Sequence, residues 1–284
     1  VDSAWPAKLP NNWVLGQTPG VAVDSHDHIW VLHRPRTVAE AQRAQAAPPL
    51  LEFDADGKFL RAWGGPGSGF DWPASEHGVF VDYKDNVWIG GSSPTSTSLT
   101  KRSDDMLLKF TKDGKFLLQI GGPDKSGGNA DTKSDKKPAR AVVNQKTKEV
   151  YIADGYGNKR VAVVDADTGK FKRYWGAYGN KPDDKNLGPY DPEAPPAKQF
   201  RTPVHCSDLS VDNLVYVCDR PNDRIQSFTP EGKFLKEVFI EKESLADGSV
   251  WDIAFSKDAQ QKYIFLADGR NQKIHILDRA SLEV

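Results

Sequence analysis

GVFVD at residues 78–82 opens a stretch in which four short apolar runs follow one another. The second run is VWI at 87–89, the third is MLLKF at 106–110, and the fourth begins after the turn DGKF at 113–116. Apolar and polar residues alternate along much of this stretch, and turn-forming Gly, Asp and Asn separate the runs, which is typical of short β-strands. This stretch therefore predicts one antiparallel sheet of four strands.

The same order of runs occurs five times along the chain. In the first four repeats, a turn containing Gly-Lys comes before the fourth run. One four-stranded unit cannot bury both of its faces alone, and radial stacking of such units covers them. We therefore predict an all-β protein, a β-propeller of four-stranded blades, that forms a single domain over residues 1–284. The opening runs lie at residues 20–24, 78–82, 141–144, 206–210 and 252–256.

The number of blades depends on how the two ends of the sequence are interpreted. The fifth repeat stops at Val284, where its outer strand is just beginning, and NWVLG at 12–16 resembles the outer strand LRAWG at 60–64. Propellers normally cover the edges of their strands. We predict a six-bladed ring whose last blade is incomplete in this sequence, with a natural chain that extends beyond Val284. A closed ring of five blades is the alternative.

Composition restricts the partners and the compartment. Lys+Arg 38 against Asp+Glu 39 leaves a net charge of −1, so we expect no nucleic-acid partner. No apolar run approaches the roughly 20 residues that span a bilayer, and we expect no membrane span. The sequence starts at Val1 and its only methionine is Met106, which predicts removal of an N-terminal segment and a secreted or periplasmic protein. For Cys206 and Cys218 we expect a cross-strand disulfide, with two buried thiols as the alternative.

Loop lengths indicate which face of the propeller binds a ligand. The turns between strands one and two, and between strands three and four, are short in every repeat, whereas the connections on the other face carry insertions. Long loops on one side of a rigid scaffold are where binding sites usually form. We expect a small-molecule or peptide substrate, or a protein or glycan partner, on this long-loop face. The insertions are residues 34–49, with a helix-like part at 37–47, and residues 90–105, 121–138 and 177–203.

Two histidines occupy the same position in alternate repeats. His77 and His205 each lie just before the predicted innermost strand, so we expect both imidazoles to point toward the axis at the long-loop face. A third such residue from a sixth repeat would complete three neutral imidazoles around an open position, which is a catalytic zinc arrangement. Each histidine alone is also typical of a hydrogen-bonded core residue. We interpret His26 and His28, in the predicted turn between strands one and two, and His275, within a third strand, as structural or solvent-facing.

Arg34 and Tyr156 map to the same rim as the two histidines. Each follows the second strand of its repeat, in repeats one and three. A guanidinium recognises carboxylates in a bidentate manner, and a phenol near a metal can act as a base. Ordinary loop anchoring is the alternative, because Arg220 and Arg270 occupy comparable loop regions in repeats four and five.

GVAVD at 20–24 and DGYGNKRV at 154–161 resemble the NHL-repeat family of propellers, and more narrowly its peptidyl-α-hydroxyglycine α-amidating lyase branch, which is six-bladed. The resemblance covers most of the chain. It implies zinc on three histidines, a catalytic arginine and tyrosine, and a structural calcium ion. The third zinc histidine has no counterpart in this sequence. By position, the zinc ligands are His77 and His205, the catalytic pair is Arg34 and Tyr156, and the calcium-binding carbonyls belong to Val21 and Val79.

The function implied by this resemblance is that of a zinc-dependent lyase that splits a carbinolamide C–N bond. In that reaction the metal polarises the substrate hydroxyl, Tyr156 assists proton transfer and Arg34 holds the glycine-derived carboxylate. The competing class is a non-catalytic NHL propeller scaffold that presents its loop face to a protein or a glycan. A calcium-dependent lactonase is a third interpretation, for which Asp208 and Asp252 are candidate ligands.

Overall fold

The computed structural model describes residues 5–284, which contain nineteen strands in five antiparallel sheets. The chain divides into two compact units, residues 1–125 and 126–284. The first unit holds two four-stranded sheets, which we call blades 1 and 2. The strands of blade 1 are β1 (Gly20–Val23), β2 (Ile29–Leu32), β3 (Leu50–Phe53) and β4 (Phe59–Trp63). Those of blade 2 are β5 (Glu76–Val81), β6 (Val87–Gly91), β7 (Met106–Phe110) and β8 (Phe116–Gly121). Short 3-10 helices span Pro10–Asn12, Pro35–Thr37 and Glu40–Gln45.

The second unit holds blades 3, 4 and 5. Blade 3 consists of β9 (Arg140–Asn144), β10 (Glu149–Asp154), β11 (Arg160–Asp165) and β12 (Phe171–Trp175). Blade 4 consists of β13 (Val204–Leu209), β14 (Val215–Asp219), β15 (Arg224–Phe228) and β16 (Phe234–Phe239). Blade 5 has three strands, β17 (Asp252–Phe255), β18 (Tyr263–Asp268) and β19 (Lys273–Asp278). Two 3-10 helices of this unit span Ala177–Gly179 and Arg220–Asn222.

Consecutive strands pair antiparallel in every blade, and the middle strands of blades 2, 3 and 4 are buried almost completely. The prediction of an all-β propeller with four-stranded blades is confirmed. The described residues form five blades, so the prediction of six is wrong. Each unit is compact on its own, and the prediction of a single domain over 1–284 stays a prediction. Among residues 5–284, no helix has the length and apolar character needed to cross a membrane.

Residues 12–16 do not form the outer strand on which the six-bladed prediction depended. Val14 makes an isolated parallel bridge to Ala46, in the long loop of blade 1. The ring of Trp13 lies 5.8 Å from that of Phe59, on the outer strand of the same blade. The apolar side chains that resembled a strand therefore cover the core of blade 1. The helix-like part predicted at 37–47 is correct in position, but it is the 3-10 helix Glu40–Gln45.

A tryptophan at the end of an outer strand packs on the turn of the following blade. Trp63 ends β4, its Nε1 donates a hydrogen bond of 2.9 Å to the carbonyl of Lys112, and its ring lies 5.3 Å from that of Phe110. Gly114 lies against this indole with a φ of +84°, and a β-carbon there would come within 2.9 Å of the ring. The turn needs glycine both for its backbone conformation and for this close approach.

The same contact occurs twice more. Trp175 packs on Gly232 in the second unit, where an added β-carbon would lie 2.7 Å from the indole. Trp5 packs on Gly57 in the first unit, with a corresponding distance of 2.6 Å. The N-terminal segment therefore does imitate the end of an outer strand, but it does so through Trp5. From the sequence we assigned that place to residues 12–16, because NWVLG resembles the outer strand LRAWG at 60–64.

Gly114→Ala is expected to lower the free energy of unfolding by about 3 kcal/mol, because alanine is strained at positive φ and its methyl group overlaps the Trp63 ring. Gly69→Ala is the matched control, since Gly69 has a φ of +83° and no atom within 4 Å of an added β-carbon. In the control variant, the free energy of unfolding should fall by about 1 kcal/mol. Urea unfolding measures both variants, and equal losses would mean that the indole contact contributes nothing.

The middle strand of blade 5 is buried on one face only, whereas the middle strands of blades 2, 3 and 4 are buried almost completely. Ile264 and Leu266 are fully buried, whereas the cross-strand neighbours Phe265 and Ile276 are 39% and 52% exposed. The alternation along β18 separates these two sets of side chains onto opposite faces of the sheet. Blade 5 therefore contributes one face to the core of the second unit.

Cys206 and Cys218 are direct cross-strand partners on β13 and β14. Their Cα atoms are 4.8 Å apart and the two residues form a disulfide. Both are fully buried in the core shared by blades 4 and 5. Of the two interpretations left open by the sequence, the disulfide is the one observed.

Candidate active site

A hydrogen-bonded pair of side chains, Tyr156 and His205, lies in the second unit. Tyr156 belongs to the loop after β10, and its hydroxyl is 2.9 Å from Nε2 of His205, the second residue of β13. Nδ1 of the same imidazole is 2.5 Å from the carbonyl oxygen of Trp251. Because a carbonyl only accepts, Nδ1 carries the proton and Nε2 presents its lone pair to the tyrosine. The tyrosine O–H therefore donates to a neutral histidine.

The surroundings of His205 keep its imidazole uncharged. Burial lowers the pKa of His205 to about 3, and the positive charges of Arg220 and Arg140 lower it further, against a small opposing effect of the Trp251 carbonyl. Below its ordinary pKa a histidine in water is charged, whereas this one is neutral over the whole physiological range. A neutral acceptor at Nε2 fixes the direction in which the Tyr156 hydroxyl points.

This pKa shift predicts a specific loss of stability in acid. The unfolded chain protonates His205 near pH 6.5, whereas the folded chain does not until about pH 3, so the unfolded state binds more protons in between. Stability should therefore fall as the pH falls through this window. Between pH 7 and pH 4.5, His205→Gln should lose about 2–3 kcal/mol less unfolding free energy than the parent protein. Urea unfolding at both pH values measures this, and His26→Gln, at an exposed histidine, is the control. Identical pH dependence of parent and His205→Gln would contradict the assignment.

Arg220 also lies at this pair, although we named it from the sequence only as an example of ordinary loop anchoring. Its Nη1 is 3.5 Å from the Tyr156 hydroxyl, and its guanidinium lies 4.8 Å from the centre of the Trp251 ring. A weaker ion pair of 3.7 Å joins it to the exposed carboxylate of Asp247. Arg220 follows directly after the second strand of blade 4, as Arg34 and Tyr156 follow the second strands of blades 1 and 3. That common position is the signal that could have identified it.

The carboxylates considered for a lactonase are already paired. The guanidinium of Arg140 forms a close ion pair with Asp252 and a longer one, of 3.5 Å, with Asp208. These three residues lie on the first strands of blades 3, 4 and 5. Burial raises the pKa of Asp208, against the opposing effect of Arg140. Because one guanidinium is paired with both carboxylates, this cluster favours a structural ion-pair cluster over a calcium site.

In the first unit, the structure brings Arg34 next to the strand that carries His77. Nε of Arg34 donates a hydrogen bond of 2.9 Å to the carbonyl of Glu76, and Nη1 donates one of 3.0 Å to Gln17. His77 is the next residue on β5 and is largely buried. Tyr156 and His205 are therefore in contact in the second unit, whereas in the first unit Arg34 contacts the residue next to His77. That the two pairs share one site stays a prediction.

Within residues 5–284, one group of three metal-ligand side chains converges, and it contains none of the predicted ligands. Asp24, His28 and Glu52 have ligand atoms within 4.8 Å of one another. Both carboxylates already contact His28. Its backbone N–H donates a hydrogen bond of 3.0 Å to Asp24, and its Nδ1 is 2.7 Å from Glu52. Blade 2 repeats the same backbone bond between Asn86 and Asp82. Asp24, His28 and Glu52 therefore form a hydrogen-bonded group that joins the turn between β1 and β2 to β3, and the structural role expected for His28 stays a prediction.

The zinc and calcium predictions rest on different observations. An imidazole whose Nδ1–H is held by a backbone carbonyl has the orientation typical of metal-binding histidines, and His205 has it. Its Nε2 lone pair accepts the hydrogen bond of the Tyr156 hydroxyl.

Val21 and Val79 lie on β1 and β5, which are edge strands of their sheets, and backbone carbonyls are among the ligands that calcium binds. Both metals stay predictions.

Comparison with known proteins shows what this chain is similar to. No protein-family model matches the chain. Over 294 residues, comprising all of this chain and 68% of the relative, it is 28% identical to NHL repeat-containing protein 3 of Mus musculus. The chain resembles the NHL-repeat β-propellers. The NHL resemblance inferred from residues 20–24 and 154–161 is thereby confirmed.

Two further proteins similar to this NHL-like chain are lyases by name. It is 26% identical over 243 residues to peptidyl-alpha-hydroxyglycine alpha-amidating lyase 1 of Drosophila melanogaster, a match that covers 80% of this chain and 39% of the lyase. The solved structure of virginiamycin B lyase from Staphylococcus aureus has a TM-score of 0.54 and 14% identity, and covers 94% of this chain and 68% of that one. At that identity the second likeness concerns the fold alone.

Proposed function

We propose that this chain is a lyase that cleaves the carbinolamide C–N bond of a peptidyl- or N-acyl-α-hydroxyglycine and releases an amide and glyoxylate. One observation carries the proposal: the Tyr156 hydroxyl is held by the neutral imidazole of His205, with the guanidinium of Arg220 3.5 Å away. The similarity to the Drosophila amidating lyase supports it. A proton carrier beside a fixed positive charge is what such a cleavage needs.

The proposed reaction moves one proton and needs no water. The substrate hydroxyl loses its proton, and the electron pair of its O–H bond forms the C=O bond of glyoxylate. The electrons of the C–N bond pass to the amide nitrogen, which gains a proton. Tyr156 is placed to carry this proton from oxygen to nitrogen, because the positive charge of Arg220 favours negative charge on the phenol oxygen while the proton is in transit.

The remaining residues have supporting roles in this proposal. His205 is a positioning residue, because it acts on the substrate through Tyr156. Arg220 is the candidate ligand for the carboxylate of the glycine-derived part, since guanidinium groups bind carboxylates in a bidentate manner. The same role for Arg34, which the family resemblance implies, stays a prediction. Zinc with His77 and His205 among its ligands, and calcium on the carbonyls of Val21 and Val79, belong to the proposal. Zinc at Nε2 of His205 would take the place of the hydrogen bond from the Tyr156 hydroxyl, so it is an alternative to that hydrogen-bonded arrangement. A bound zinc ion would supply a Lewis acid for the substrate oxygen.

Turnover of a minimal substrate tests the proposed activity. N-benzoyl-α-hydroxyglycine contains the carbinolamide and the carboxylate and little else. Glyoxylate should appear faster with the protein than in buffer, in proportion to the amount of protein, and metal analysis of the same preparation tests zinc and calcium. A rate equal to that in buffer, with zinc and calcium supplied, would overturn the proposal.

The alternative function is a non-catalytic NHL scaffold that binds a protein or a glycan through its loop face. Its support is the match to NHL repeat-containing protein 3, which covers the whole chain and whose name implies no activity. For either function we propose a secreted or periplasmic location, which the disulfide between Cys206 and Cys218 supports, because disulfides persist in oxidising compartments.

A further inference from the structure

A large pocket opens in the second unit beside the candidate active site. Its volume is about 580 Å³, and its walls come from the long insertion after blade 3 and from the connection between blades 4 and 5. Apolar and charged groups both contribute to it, which is typical of a pocket that binds an amphipathic molecule. The charged groups and part of the apolar surface belong to the lining residues Lys159, Asp184, Leu187, Pro189, Arg201 and Leu245.

Three separate chain segments connect this pocket to the candidate active site. Lys159 lies three residues after Tyr156, and Thr202, another lining residue, lies three residues before His205. Pro221 also lines the pocket and directly follows Arg220. Three residues of extended chain span at most about 10 Å, so the backbone of the pocket wall lies within that distance of each site residue. A substrate held at Tyr156 can therefore extend into the pocket.

Two cations line the pocket. Nζ of Lys159 donates a hydrogen bond to the carbonyl of Lys185. Arg201 donates hydrogen bonds from Nε to the side chain of Asn222 at 2.7 Å and from Nη1 to the carbonyl of Gly188 at 2.5 Å. Its Nη2 has no hydrogen-bond partner among residues 5–284. Burial lowers the pKa of both groups. Asp183 and Asp184 oppose this lowering at Lys159 and Arg201 adds to it, whereas Asp219 and Tyr190 oppose it at Arg201. An anion between them would stabilise both charges.

One carboxylate also lines the pocket, and it already accepts hydrogen bonds from Asn129. Asp184 accepts hydrogen bonds from the side-chain amide of Asn129 at 2.6 Å and from its backbone N–H at 3.2 Å. The lining therefore carries two positive charges and one negative charge. Leu187, Pro189 and Leu245 supply apolar surface next to the cations. This combination favours a ligand with an apolar part and one acidic group.

We infer that this pocket binds the acyl or peptidyl part of the substrate and selects an acidic residue close to the carbinolamide. The inference rests on the proposed lyase function, which gives the substrate two ends. The glycine-derived end stays at Tyr156 and Arg220, and the other end reaches Lys159 and Arg201. Peptidyl-α-hydroxyglycines with Glu or Asp within two residues of the reacting group are therefore the preferred substrate class.

Paired substrates and charge variants at the pocket rim test this inference. The substrates are acetyl-Glu-Leu-α-hydroxyglycine and acetyl-Gln-Leu-α-hydroxyglycine, which differ in one charge. Leu245 is 54% exposed, so Leu245→Glu and Leu245→Lys should both fold, and Val211→Glu, at an equally exposed residue in a turn at the other end of blade 4, is the control. For the Glu substrate, KM should be about fivefold higher for Leu245→Glu than for Leu245→Lys, whereas for the Gln substrate the two variants, which lose the same apolar contact, should have equal KM. The control should match the parent protein for both substrates.

Binding of the product amides separates this inference from the proposed activity. Acetyl-Glu-Leu-amide and acetyl-Gln-Leu-amide contain the part of the substrate that the pocket would hold, and calorimetry measures their binding without turnover. Tighter binding of the Glu amide, weaker for Leu245→Glu than for Leu245→Lys, would support the pocket even if no substrate is turned over. Equal binding of the two amides, or no binding of either, would overturn the inference even if the lyase is active.

Discussion

Tyr156→Phe is expected to lower kcat for N-benzoyl-α-hydroxyglycine about 1,000-fold, because it removes the hydroxyl that carries the proton and leaves the ring in place. The variant leaves Nε2 of the buried His205 without its hydrogen-bond donor, so the free energy of unfolding should fall by about 1–3 kcal/mol. Steady-state kinetics and urea unfolding measure the two effects. Tyr263→Phe, which removes the hydroxyl of a partly exposed tyrosine on blade 5, is the control and should leave kcat unchanged.

The ratio of effects on kcat and KM distinguishes proton transfer from binding. A group that acts only in the transition state changes kcat and kcat/KM equally, and Tyr156→Phe should do this. His205→Gln should also lower kcat, but it should do so by releasing the Tyr156 hydroxyl from its fixed direction. The double variant should then be no slower than Tyr156→Phe alone. Full activity of Tyr156→Phe would remove Tyr156 from the mechanism.

Replacing both Cys206 and Cys218 by alanine is expected to lower the free energy of unfolding by about 3 kcal/mol. The disulfide closes a loop between residues 12 apart in sequence, and its loss increases the conformational entropy of the unfolded chain. Both side chains are fully buried, so the variant also loses some packing in the core of blades 4 and 5. Urea unfolding measures the change.

The oxidised parent protein under reducing conditions is the control for the cysteine variant. If the disulfide stabilises the fold, the parent should lose most of the same 3 kcal/mol when reduced, and the variant should be insensitive to the reductant. Cys206 directly follows His205 on β13, so the pH dependence predicted for His205 should be measured in the same samples. A loss below about 1 kcal/mol in both experiments would mean that the disulfide is not important for stability.

Strands and blades were predictable from the sequence because their signal is local. A period of two, and turns such as the one at Gly114, report the conformation of a few neighbouring residues. The number of blades was not predictable in this way. Residues 12–16 have the composition of a strand, but whether they pair with a sheet depends on what lies beside them. In the structure Val14 bridges to Ala46, and Trp5 packs on the turn at Gly57, where the sequence had suggested Trp13.

The candidate site was predictable where a residue's position relative to a strand indicates its direction. Tyr156 and His205 were selected in that way, and they are in contact. Their hydrogen bond depends on the tautomer of the imidazole, which the Trp251 carbonyl sets from another blade. Likewise, only the structure pairs Asp208 with Arg140, because no sequence pattern relates the two. Tertiary neighbours decide which polar groups are neutralised and which stay available.

The products formed from N-benzoyl-α-hydroxyglycine test the central claim most directly. A lyase that breaks the bond between the carbinol carbon and nitrogen produces benzamide and glyoxylate in equal amounts. An enzyme that instead hydrolyses the acyl–nitrogen bond produces benzoate, with no benzamide. Chromatography of the reaction mixture, with the amounts formed in buffer subtracted, separates these products. We predict benzamide and glyoxylate in a one-to-one ratio, formed by the parent protein and almost absent with Tyr156→Phe. Benzoate as the main product, or benzamide formed at the same rate by parent and variant, would contradict the proposed lyase.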